Sequence, residues 1–178
     1  VAIVGMVQAL QTIVSRNVSA LDQLVVSVTE IHVGTANNII PESGWFAATI
    51  RTFDPEIRDL AEARFRAIVA GQAAAFGVQA EVTYERGYPP TVNNPARAAF
   101  AAEVAREIAG SAAVEDDVER DMGAEDFSYM LQARPGAFLF IGIGPGEGLR
   151  HPAYDFNDEA APIGASFFAR LVERALPL

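Results

Sequence analysis

Apolar positions recur along this chain with two periods, and the switches between them mark its elements. Near the start, apolar side chains fall at 3, 4, 7, 10, 13 and 14, the stripe of a helix over residues 1–16. "QLVVSVTEIHV" (23–33) is rich in β-branched residues and partly alternates, which predicts a strand. The turn-rich "GTANNIIPESG" separates it from a second strand, "WFAATIRTF". "DPEIRDL" then opens a helix, with Asp54 as N-cap, Pro55 at its first position and Glu56 at the positive end of the dipole. Apolar residues at 57, 60, 61, 65, 68 and 69 carry that helix to Phe76, and Gly77 stops it. "VQAEVTYER" predicts a third strand.

The order helix–strand–strand–helix–strand predicts a ferredoxin-like layer of helices on an antiparallel sheet. Its opening strand is expected just before Val1, so the sequence reads as one entered partway through. "GYPPTVNNP" breaks the pattern and sets a domain boundary near residue 90. Beyond it, Asn94 and Pro95 start a helix with Phe100, Val104 and Ile108 on one face, and the acidic "VEDDVERD" follows. "MGAEDFSYML" reads as a loop entering a short helix. "AFLFIGIG" is a continuous apolar run of the kind found in a fully buried strand. Residues 158–176 form a last amphipathic helix, apolar at 163, 167, 168, 171, 172 and 175. The fold class expected is therefore α+β, with residues 1–90 a ferredoxin-like domain and 91–178 the tail of an α/β domain.

Composition narrows the chemistry. The net charge of -10 argues against nucleic acid or an anionic membrane as partner, since both need basic patches. No apolar run is long enough to span a bilayer, and the first residues lack the basic start of a signal peptide. Zero cysteines excludes thiolate chemistry and Cys-based zinc sites, and fits a cytoplasmic protein. Only His32 and His151 are available for metal binding or proton transfer.

Three stretches carry the candidate chemistry. "RHPAYDFNDE" joins His151 to three carboxylates, but a helix start capped by Asn157 or Asp158 accounts for most of it. A catalytic zinc needs about three protein ligands, so a metal site at this motif is incomplete by itself. "MGAEDFSYM" sets Glu125 and Asp126 after Gly123, either as a general base or as a helix cap. "HVGTANNIIP" places Asn37 and Asn38 in a turn, with Arg51 ending the next strand. Asn with Arg makes a carboxylate clamp, and a plain hairpin turn explains the same residues. "GIGPGEG" lacks phosphate-loop spacing.

Taken in order, "HVGTANNIIP", "IRTFDP", "YPPTVNNP", "MGAEDFSYML", "PGAFLFIGIG" and "RHPAYDFNDEAAPIGASF" resemble the metal-dependent amidohydrolases of the aminoacylase and zinc-carboxypeptidase superfamily. Its members include hippurate hydrolases, indole-acetyl-amino-acid hydrolases and N-acetyl-diaminopimelate deacetylases. The resemblance implies a two-metal catalytic domain interrupted by a ferredoxin-like lid that also dimerises. Residues 1–90 would be that lid and 91–178 the C-terminal part of the catalytic domain. Most metal ligands and the glutamate general base would lie in the family's first half, outside this chain. It further implies attack on the amide of a small N-acyl amino acid or dipeptide by a metal-bound hydroxide. Zinc is the first choice of metal, with manganese, cobalt or nickel as alternatives.

By the same resemblance, Asn38 and Arg51 match the lid pair that binds the substrate carboxylate. Gly123, Glu125 and Asp126 match a loop on the substrate side of the metals. The family's last metal ligand is a His two residues before the proline of "HPAYD". Here that position is Arg150, and His151, one place later, becomes the candidate ligand. This departure keeps a second reading open, a lid-derived dimerisation or binding module without catalysis.

Overall fold

The computed structural model describes residues 1–176, which divide into two compact units, Val1–Pro90 and the residues from Thr91 onward. The mixture of helices with one antiparallel sheet is α+β. No helix among the described residues is long and apolar enough to cross a membrane.

In the first unit, α1 (Ala2–Leu10) leads through a π-turn (Ile13–Asn17) into β1 (Leu24–Val33). Met6, Leu10 and Ile13 are buried, whereas Val4 and Val14, expected on the apolar stripe, are exposed. β1 pairs antiparallel with β2 (Gly44–Thr52), from Leu24 opposite Thr52 to Val33 opposite Gly44. A bulge between Val28 and Glu30 inserts Thr29 and twists the ladder.

α2 (Pro55–Phe76) starts where predicted. The Asp54 carboxylate accepts the amides of Glu56 at 2.7 Å and Ile57 at 3.3 Å, and Gly77 ends the helix in the left-handed conformation at φ 65°. Its residues Ala61, Phe65, Val69 and Ala73, spaced by four, form one stripe packed on Met6, Leu10, Ile13, Leu24 and Val26. α1 approaches α2 closely at Gly5, where a Cβ would lie 2.6 Å from the Phe76 ring.

The third strand expected at 78–86 does not form a ladder, and the sheet has two strands. The segment has no regular secondary structure and packs with Val82 on the core and the Tyr84 ring edge-on to Phe65 at 6.2 Å. Side chains occupy carbonyls in and just beyond it, Arg66 donating to the Val82 oxygen and Arg58 to that of Gly87. In a ferredoxin-like layer the last strand pairs with the opening one, and no strand precedes α1 among the described residues.

In the second unit, α3 (Pro95–Ala109) is capped by Asn94, whose side chain accepts the Arg97 amide at 3.2 Å. Ala101, Ala102 and Val104 are its buried face. α5 (Ala160–Ala175) lies against it, tied by Arg170 and Arg174 to Glu107. α4 (Phe127–Ala133) is a short helix. The run at 137–144, expected as a buried strand, forms no strand and is unpaired, and Leu139, Phe140 and Ile141 are exposed. An apolar strand needs neighbours on both edges, and no strand occurs among the described residues of this unit. Asn93 stands in for one, donating to the Phe138 carbonyl at 2.9 Å and accepting its amide at 2.7 Å.

Candidate functional site

The bulge in β1 decides which side chains share the outer face of the hairpin. With Thr29 left over, Glu30 lies opposite Ala47 and His32 opposite Trp45, on the same face as the Val25–Arg51 pair. The His32 and Trp45 rings stack with centroids 4.1 Å apart, and His32 Nε2 lies 3.2 Å from a Glu30 carboxylate oxygen. His32 is thus held on the outer face of the hairpin by its own strand and its cross-strand neighbour.

Asn38 is exposed in the loop between the strands, at the end where Val33 meets Gly44. Asn37 beside it lines an open hollow with Val1, Val33, Ile39 and Pro41. Arg51 is half-buried at the other end of the ladder, opposite Val25. Six residues of strand separate Trp45 from Arg51, roughly 20 Å. The structure does not bring Asn38 and Arg51 of one chain together.

In the second unit, the Asp121 carboxylate accepts the Gly123 amide at 3.1 Å. Glu125 turns toward α4, its carboxylate accepting the Phe127 amide at 3.2 Å, while the Ser128 hydroxyl donates to the Glu125 carbonyl at 2.7 Å. Ser128 is fully buried, so this bond fixes the loop to the helix. Asp126, the N-cap by position, makes no capping bond and is exposed. The pair divides its work: Glu125 is committed to the helix start and Asp126 presents its carboxylate outward.

The motif "RHPAYD" forms a tight turn. The His151 amide donates to the Gly148 carbonyl at 3.1 Å, and Arg150, at φ 70°, is the one residue other than glycine with positive φ among the described residues. Left-handed backbone disfavours a side chain such as arginine. The His151 ring accepts the Ala153 amide on Nδ1 at 3.2 Å. That contact uses the lone pair on Nδ1, so in the neutral ring Nε2 carries the proton. A Glu147 oxygen lies 3.6 Å from the same Nδ1, too far for a hydrogen bond.

Helix α5 begins later than the motif suggested, at Ala160 with Glu159 as N-cap. Asn157 still organises the turn, accepting the Glu159 amide at 3.0 Å and donating to the Ile143 carbonyl at 3.1 Å. Asn157 as a tie to the glycine-rich segment, like Asn93, escaped the sequence reading, because an asparagine beside a proline or a helix start already has a local explanation.

These residues do not fit a metal centre by themselves. No group of three His, Asp or Glu side chains converges among the described residues. At the turn, Arg150 has no lone pair to give and His151 has spent its own on Ala153.

A family model described as peptidase family M20/M25/M40 matches residues 4–174. Among curated proteins, an N-acetylcysteine deacetylase of Bacillus subtilis is 35% identical over 93% of this chain and 43% of its own length. An N-acetyldiaminopimelate deacetylase of Streptococcus thermophilus is 37% identical over 92% of this chain and 43% of its own. A solved Bacillus subtilis structure, described as the YXEP protein, a dinuclear metal binding peptidase from the M20 family, matches with a TM-score of 0.75. It is 29% identical, and the match covers 98% of this chain and 45% of that one. The chain spans less than half the length of these relatives. With the match running through both units and every motif quoted above, this chain belongs to the peptidase family M20/M25/M40.

Proposed function

We propose that the protein carrying this chain is a metal-dependent amidohydrolase acting on small N-acyl amino acids. Residues 1–90 serve as a dimerising lid and residues 91–178 as the C-terminal part of the catalytic domain. The observation that carries the reading is the family match together with the deacetylase relatives. The divalent metal, zinc first, takes its ligands chiefly from outside this chain. A cytoplasmic site of action accords with the absence of cysteine.

Arg51 offers the planar fork that holds a carboxylate, and Asn38 a second polar contact. Their separation along the hairpin favours a site shared by two copies. Beyond β2, β1 has no other strand beside it among the described residues. Antiparallel pairing of two β1 strands about a two-fold axis sets the end of one beside the start of the other. Asn38 then approaches the partner's Arg51. Asp126 is the carboxylate on the substrate side free to accept an amide hydrogen or a proton, with Glu125 and Gly123 holding its loop.

A second reading, a dimerisation module without catalysis, draws on one observation: the motif turn holds no available metal ligand. Hydrolysis of N-acetyl amino acids separates the two. The protein carrying this chain should release acetate in the presence of zinc, manganese or cobalt, and this chain alone should not. Absence of turnover in the former, with dimers intact, favours the module.

A further inference from the structure

We infer that the turn at Gly148–His151 supplies a permanent cation at the position where the family resemblance places a metal ligand, so that the protein carrying this chain holds one metal ion per subunit instead of two. This rests on the metal-dependent reading above and concerns the "RHPAYD" turn alone.

Arg150 is the group at issue. A guanidinium stays protonated under all ordinary conditions, cannot ligate, and repels a divalent ion placed against it. Its backbone is left-handed at φ 70°, and the bond from the His151 amide to the Gly148 carbonyl at 3.1 Å makes the turn type II, with Arg150 at the third position. Glycine or asparagine normally occupies that position. The Arg150 side chain is exposed and makes no hydrogen bond or ion pair among the described residues. It is not there to brace the turn.

His151 does not take over the ligand role in this conformation. Its Nδ1 lone pair receives the Ala153 amide, which leaves a proton on Nε2. Ligation through Nε2 requires the reverse tautomer, with Nδ1 donating. The backbone amide at Ala153 has no acceptor to offer, so the two requirements conflict. A planar cation with several donors suits the oxygens of a carboxylate.

Metal content tests this independently of activity. The protein carrying this chain is loaded with zinc, or with manganese, passed over a desalting column and analysed by elemental mass spectrometry. One ion per subunit is expected for the parent, for His151→Ala and for Arg150→Asn, which keeps the left-handed turn while removing the charge. Arg150→His should raise the content to two. Two ions in the parent, loss of an ion in His151→Ala, or no gain in Arg150→His overturns the inference. No ion in any variant removes the metal-dependent reading itself, and this inference with it. Circular dichroism of each variant confirms that the turn changes leave the fold intact.

Discussion

Arg51 and Asn38 stand at opposite ends of one hairpin: Arg51 lies opposite Val25, whereas the loop bearing Asn38 leaves from Val33, opposite Gly44. If both contact one substrate carboxylate, they come from different copies. Arg51→Ala and Asn38→Ala homodimers should each show a raised KM, by about 1.5–3 kcal/mol of lost binding for the arginine. Mixed dimers of the two mutants should regain one intact site of the two. Activity of the mixture no higher than the mean of the homodimers would place both residues in the same subunit's site.

Arg150 is held in left-handed backbone, which costs a side-chain-bearing residue roughly 1–2 kcal/mol. Asparagine tolerates that conformation better. Arg150→Asn should therefore stabilise the chain by about 0.5–1 kcal/mol in urea unfolding, and Arg150→Gly by less, because glycine loses more entropy on folding. Destabilisation by both substitutions would mean that the side chain supports the turn through packing.

The elements that were legible from sequence are those whose reason is local. Asp54, Pro55 and Gly77 bracket α2 as a cap, an N1 proline and a left-handed stop, and Asn94 with Pro95 opens α3 in the same way. The strands at 78–86 and 137–144 were misjudged because a strand exists only beside another backbone, and their apolar patterns do not say where that neighbour comes from. The first helix is legible in part: Leu10 and Ile13 of its expected stripe are buried and Ile3 and Val7 half-buried, whereas Val4 is exposed and the π-turn at Ile13–Asn17, which turns Val14 outward, leaves no mark in the sequence. At the candidate site, residue types were legible and their directions were not. Nothing in "AEDF" says that Glu125 turns to the helix while Asp126 faces out, and nothing in "RHPA" gives the His151 tautomer.

Phe65 lies between Phe46 of β2 and Tyr84 of the 78–86 segment, with ring centroids 6.3 and 6.2 Å away. It is one of the contacts that hold 78–86 against the rest of the first unit without a ladder. Phe65→Ala should destabilise that unit by about 3–5 kcal/mol, and Phe65→Leu by much less. Hydrogen exchange should show protection around Val82 and Tyr84 lost in Phe65→Ala. Retained protection would mean that the arginine contacts to Val82 and Gly87 suffice to hold the segment.

The same segment is pinned electrostatically, and this sets an acid limit on the first unit. Glu62 accepts from Arg86 at 2.8 Å and from Arg66 at 3.1 Å, and Arg86 also pairs with Asp59 at 2.7 Å. The Arg86 hydrogen bond, with that of Arg66, holds the Glu62 carboxyl below the ordinary carboxylate range against the opposing effect of burial. A carboxylate whose pKa is depressed on folding binds protons more readily when unfolded. Its contribution is therefore complete above the unfolded value, near about pH 4.3, and is lost as pH falls through the folded value. Glu62→Gln should be less stable than the parent at neutral pH, and the difference should shrink as the solution is acidified below that range. High salt should narrow it at neutral pH as well, because the cluster is in part open to solvent. Urea midpoints of the two proteins across the acid range provide the measurement; a difference that stays constant through it would assign the Glu62 contribution to packing instead of charge.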